Sequence, residues 1–184
     1  DLDFLVKEGL LREEEVLACE WGDNEETVDY AKLYQNRFPL LHKAYARSDY
    51  SEKKEFLTFQ KENRYWLDDF CFYMALKFYF NGREWLQWEE SIRYRKKEAV
   101  KRYRELLKEE IGFHAFCQYY FFRQWKKLKR YANQKGIRII GDIPLYVSLD
   151  SADVWTHSEL FELDERKKPI HIAGVPPDCF SEDG

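Results

Sequence analysis

GIRIIGDIPLY, residues 136–146, places four isoleucines between Ile137 and Ile143, behind one glycine and ahead of Pro144. A short β-branched run bounded by glycine and proline predicts one buried strand. It follows a helical pattern, and it carries a carboxylate, Asp142, at its carboxyl end. A helix followed by a strand of this kind is how a parallel α/β sheet or barrel presents side chains at its loop face. Asp142 is therefore the first candidate site residue. The alternative reading is an aspartate that caps the turn before Pro144. One clear strand falls well short of the eight, in about 250 residues, that close a β/α barrel.

Toward the amino terminus the pattern is helical. From Thr27 to about Arg130 apolar residues recur at steps of three and four, as in Leu33, Phe38, Leu41 and Tyr45, or Trp66, Phe70, Tyr73 and Lys77. Pro39, the Ser48–Ser51 stretch and Asn81-Gly82 are the expected breaks. They predict one early helix, a bundle-like cluster, and a long helix from about Glu109 to Gln134 with Gly136 as its stop. That last helix puts Phe113, Phe116, Tyr120, Trp125, Leu128 and Tyr131 roughly on one side, read as core rather than as sugar platforms. The chain opens without Met inside an apolar pattern, Leu2, Phe4 and Leu5, and closes at Asp183-Gly184 in a loop, so it reads as a cut-out of something longer.

Toward the carboxyl terminus, nearly forty residues after Tyr146 have little periodicity and are broken by Pro169, Gly174, Pro176 and Pro177. Loops of such length are functional or disordered. The apolar content here, from Val154, Trp155, Leu160, Phe161, Ile170, Ile172, Val175 and Phe180, argues for order. Ser151 to Leu163 has room for one short helix capped by Ser151, with Asp153 in its first turn.

Composition narrows the function classes. The 184 residues, 45% hydrophobic, suit a soluble globular domain with an ordinary core. Charged residues make up 35% with a net charge of −4 and interleaved signs, which gives no footprint for nucleic acid. The basic stretch Arg93–Arg104 is interrupted by Glu98 and reads as a solvated helix face. Cys19, Cys71, Cys117 and Cys179 form no CxxC pair, and His42, His114, His157 and His171 show no metal-ligand spacing. No metal site is expected. The most apolar run, Phe70–Phe80, is too short and interrupted to span a bilayer, so a membrane partner is not expected and a reducing cytoplasm is.

Two longer stretches are more specific: GIRIIGDIPLYVSLDSADVW at 136–155 and LFELDERKKPIHIAGVPPDCFSEDG at 160–184. Together they resemble the amylomaltase, or disproportionating-enzyme, family of 4-α-glucanotransferases. Looser family-like patterns precede them: LVKEGLL at Leu5–Leu11, ENRYWLDDF at Glu62–Phe70, and the stretch from Phe116 that holds RQW and YAN.

The resemblance implies an α/β fold: a partial segment of a (β/α)8 TIM barrel with a large, mainly α-helical insertion, the chain itself being mostly α. Residues 1–26 would be a helical connection of the barrel, 27–110 the insertion subdomain, and 111–184 a barrel helix, barrel strand and active-site loop. It implies retaining transfer of α-1,4-glucan segments between malto-oligosaccharides or starch chains, by a carboxylate nucleophile and a carboxyl acid/base, with no cofactor. The family's catalytic carboxylates, in motifs such as a strand ending in RIDH, have no equivalent in this sequence and are expected beyond Gly184, so the segment alone is expected to be inactive. The implied substrate-binding residues are Asp142, Tyr146, Asp178 and Phe180. Asp142 resembles a family aspartate that contacts the sugar beside the scissile bond, while Tyr146 lines the pocket or packs beneath the loop. Gly174–Gly184 resembles the family's mobile loop over the cleft, which would keep water from a covalent intermediate. Cys179 stands where the family usually has tyrosine, and a thiol cannot stack on a sugar. The other readings are a related α-glucan hydrolase and a non-catalytic helical interaction or carbohydrate-binding module.

Overall fold

A computed structural model describes residues 1–24, 26–144 and 146–171, with Gly174, Pro176, Pro177 and Cys179 beyond them. Eight α-helices run through the described residues: α1 (Leu2–Lys7), α2 (Glu13–Leu17), α3 (Tyr30–Arg47), α4 (Lys54–Tyr79), α5 (Glu90–Arg93), α6 (Lys97–Leu106), α7 (Lys108–Gln134) and α8 (Ala152–Thr156). The predicted long helix is α7, and Gly136 ends it as expected. Its φ of 76° lets the N–H groups of Gly136 and Ile137 turn back onto the carbonyls of Asn133 and Ala132, both at 3.0 Å. The break at Ser48–Ser51 separates α3 from α4, and Asn81-Gly82 ends α4 in the same backward-bonded turn as Gly136. The short capped helix is α8, whose first turn is closed by Val154 N–H donating to Ser151 Oγ at 3.3 Å.

Three expectations need correction. Pro39 does not break a helix, for α3 runs through it for 18 residues. The missing N–H costs the Gln35 carbonyl its helical partner, typically about 3 kcal/mol for a proline inside a helix. Pro39 and Gln35 are both exposed, so water can take the freed carbonyl, and the next turns are held by Leu40 and Ala44, which are buried. Second, residues 137–144 are neither a strand nor buried: Ile140 is 92% and Ile143 81% exposed. A strand exists by giving its N–H and C=O groups to a neighbour, and among the described residues the one β-bridge joins Leu163 to Pro169. Third, the aromatic side of α7 divides. Phe113, Phe116 and Tyr120 are buried, whereas Trp125, Leu128 and Tyr131 are 37%, 55% and 60% exposed. Helical spacing fixes which residues share a side, and the length of the partner elements fixes how much of that side is covered.

The chain forms two compact units, each from two stretches: residues 1–67 with 112–139, and residues 68–111 with 140–184. In the first, aromatic rings carry the packing. Tyr50 meets Phe56 edge-on at 4.6 Å, Phe56 meets Tyr119 at 5.5 Å, and His42 stacks on Phe113 at 3.6 Å. Glu15 joins α2 to α3 through a fork with Arg47, at 2.6 and 2.8 Å, and accepts the Arg12 N–H at 3.0 Å. The Arg47 bonds, then that backbone bond, hold the Glu15 carboxyl down from its ordinary value of 4.5 to about 2. A depressed pKa means that the ionised form is favoured by folding. Its stabilisation is complete above pH 4.5 and fades as pH falls toward 2. Glu15→Gln is expected to lower Tm at pH 7, with the gap to the parent closing between pH 4.5 and 2 in a melting series. A gap constant over that range would mean that the fork is not what the carboxylate contributes.

The second unit is built on a cluster of Phe72, Tyr73, Leu76, Trp85, Trp88, Ile92, Ala99, Tyr103, Val154 and Trp155. Its corner after α5 uses Arg95 in the left-handed region, φ 51°, where glycine is usual. Asp69 Oδ1, 3.0 Å from the Arg95 guanidinium, and the Trp155 ring, 4.4 Å from it, hold that side chain in place.

Candidate functional site

The segment that the sequence singles out leaves α7 at Gly136 and enters the second unit's core at Leu149 and Asp150. Between them, 141–144 and 146–148 are exposed. Asp142 lies on this stretch, and its Oδ1 accepts the Ile143 N–H at 2.8 Å. That local bond belongs to the turn-capping reading, and the exposure leaves the carboxylate open to a ligand as well. Tyr146, four residues on, is 57% exposed. Asp178 and Phe180 lie outside the described residues. Cys179 between them is exposed, with a free thiol.

The entry point is built with more hydrogen bonds than the segment it ends. Trp85, 1% exposed, donates its indole N–H to the Leu149 carbonyl at 2.7 Å and its backbone N–H to Asp150 Oδ1 at 3.2 Å. The same Oδ1 accepts the Tyr73 hydroxyl at 2.7 Å, and Oδ2 accepts Lys77 Nζ at 2.6 Å. Lys77 also donates to the carbonyls of Gly82, at 2.8 Å, and Arg83, at 3.1 Å, and so ties the end of α4 to this node. Burial opposes ionisation of Asp150, but the bonds from Lys77, Tyr73 and the Trp85 N–H outweigh it and hold its pKa below the usual aspartate value. Burial first, then the bond to Asp150, raises the Tyr73 pKa, so the phenol stays a donor.

Sequence reasoning passed over Asp150 because Ser151 beside it explained the helix start. One signal was present. Lys77 falls in the apolar series Trp66, Phe70, Tyr73, and a lysine on a buried stripe calls for a carboxylate partner. Which carboxylate was not legible, since Asp150 lies 73 residues from Lys77 and 77 from Tyr73.

Downstream, α8 sends Val154 and Trp155 into the core, while Leu160 and Ile170 are 76% and 59% exposed. His171 Nδ1 lies 2.7 Å from Glu162 Oε2. Among the described residues no three His, Cys, Asp or Glu side chains come together as metal ligands, and no helix is long and apolar enough to cross a membrane.

Comparison with known proteins agrees with the motif at 136–184. A family model described as 4-alpha-glucanotransferase matches residues 1–184. A 4-alpha-glucanotransferase of Clostridium butyricum is 41% identical over 185 residues, which take in 100% of this chain and 38% of that protein. One of Streptococcus pneumoniae is 44% identical over 186 residues, 100% of this chain and 37% of its own length. Among solved structures, an amylomaltase from Streptococcus agalactiae in complex with acarbose superposes with a TM-score of 0.92 at 42% identity, covering 100% of this chain and 38% of that one. The chain thus spans less than two fifths of the relatives it matches.

Proposed function

The chain belongs to the 4-alpha-glucanotransferase family, and from that membership we propose that it is part of an enzyme that transfers α-1,4-glucan segments between malto-oligosaccharides or starch chains. The observation that carries this is the family match along all of residues 1–184, joined to relatives above 40% identity that take in the whole chain. The chain's part in the reaction is binding rather than bond cleavage. Asp142, by its place in GDIPLYV, accepts hydrogen bonds from adjacent sugar hydroxyls, a task suited to the two oxygens of a carboxylate. Tyr146, exposed on the same segment, offers a ring to the glucan, and Asp178 and Phe180 contribute from the loop. The structural relative is solved in complex with acarbose, which supports a carbohydrate ligand for the protein that carries this chain.

Residues 27–110 would be the helical insertion and 1–26 a helical connection. Cys19, Cys71, Cys117 and Cys179 carry thiols rather than disulfides, which suits a reducing cytoplasm.

The test is product analysis. The protein that carries this chain, incubated with maltotriose, is expected to release glucose together with malto-oligosaccharides longer than three units, with no net gain in reducing ends. Rising reducing ends with only shorter products would make it a hydrolase, and no change in the maltotriose would leave a binding module.

A further inference from the structure

The exposed glucan-facing segment ends in a carboxylate gathered by donors from two elements, and that asymmetry has a purpose if the segment must be held at one height. Residues 146–148 are exposed and without regular structure, and among the described residues no backbone–backbone hydrogen bond reaches them. The next fixed atoms are the Leu149 carbonyl and the Asp150 carboxylate, both bonded to Trp85, with Tyr73 and Lys77 of α4 closing around the carboxylate. Tyr146 is four residues away, within about 14 Å along the chain at roughly 3.5 Å per residue, so Asp150 is the anchored point nearest to it on the carboxyl side.

We propose that Asp150 is a positioning residue for glucan binding: Tyr73, Lys77 and Trp85 hold its carboxylate, and the carboxylate sets where Tyr146 meets the sugar. This rests on the glucanotransferase reading above. The chemistry of the node makes it discriminating. An asparagine at 150 keeps one acceptor oxygen but turns an NH2 toward either the Lys77 ammonium or the Trp85 backbone N–H, donor against donor. Phenylalanine at 73 removes one of three donors and leaves the carboxylate ionised and bonded to the other two.

The two substitutions therefore form a graded series. In the protein that carries this chain, assayed for glucose release from maltotriose, Asp150→Asn is expected to raise KM about five-fold and Tyr73→Phe about two-fold, with kcat within about two-fold of the parent. Ala44→Gly, a buried α3 position in the other compact unit, serves as the stability control. It is expected to lower Tm while leaving KM unchanged, because KM does not depend on the fraction folded. A KM unchanged in both node variants, with Tm lowered as in the control, would reduce Asp150 to a fold-stabilising residue. Should Asp150→Asn fail to fold, Tyr73→Phe carries the same comparison. A parent protein that releases no glucose from maltotriose overturns the glucanotransferase reading, and this role with it, whereas an active parent with flat KM values overturns the positioning role alone.

Discussion

Trp155→Ala is expected to cost about 3–5 kcal/mol, the range for removing a buried tryptophan from a well-packed core. Trp155 is 2% exposed, with Trp88 at 5.5 Å, Phe72 at 5.6 Å and Tyr73 at 5.9 Å between ring centroids. Its indole N–H donates to the Ile92 carbonyl at 3.3 Å, and the Arg95 guanidinium lies 4.4 Å from its ring. Alanine would leave a cavity, an Ile92 carbonyl with one donor fewer, and Arg95 in a left-handed conformation with one restraint fewer. Against a total of about 5–15 kcal/mol for a domain, this is roughly a fifth or more of the stability. Trp155→Phe keeps most of the apolar contact and loses the hydrogen bond, for about 1–2 kcal/mol. Urea melts of the two variants beside the parent check both values. A Trp155→Ala loss below about 1 kcal/mol would mean that α8 does not seat its tryptophan in this core.

Trp155 also illustrates what the sequence makes legible. Ser151 followed by Asp153 gives the start of α8 because a cap is a local device that acts over three residues. Gly136 gives the end of α7 for the same reason. The long helices were legible from spacing, since a repeat of three and four states which residues share a side. Burial was not, as α7 demonstrates: one continuous aromatic stripe is buried at Phe116 and exposed at Tyr131. The isoleucines of 137–143 pose the same problem more sharply. Their composition is that of a strand, and a strand is a relation between two stretches of chain. Pro39 fails differently, because a local rule about its missing N–H lost to the packing of Leu40 and Ala44 in the next turns. Of the candidate site, Asp142 and Tyr146 could be named from a contiguous motif. Asp150 could not, because the three groups that hold it lie 65, 73 and 77 residues earlier.

Gly112 shows how a residue unremarkable in sequence becomes a sensitive one in the fold. It sits inside α7, where glycine is less favourable than alanine by about 1 kcal/mol, so propensity alone predicts that Gly112→Ala stabilises. Packing predicts the reverse. A Cβ there would lie 2.5 Å from the Tyr45 hydroxyl oxygen and 3.3 Å from that of Tyr50, which itself donates to the Gly112 carbonyl at 2.8 Å. Tyr45 has little room to yield, with Phe113 at 5.9 Å, Phe116 at 5.7 Å and Tyr50 at 5.7 Å around its ring. Forcing extra carbon into a filled core costs about 1–3 kcal/mol, which exceeds the helical gain over most of that range. Gly112→Ala is therefore expected to destabilise the parent. In a Tyr45→Phe background, where the clashing oxygen is gone, the same change is expected to be neutral or stabilising by up to about 1 kcal/mol. A double-mutant cycle in urea separates this coupling from whatever Tyr45→Phe costs alone. Additive effects would show that the helix spacing, not the tyrosine, requires the glycine. A coupling of about 1 kcal/mol or more would show that α3 and α7 approach at a distance set by one missing methyl group.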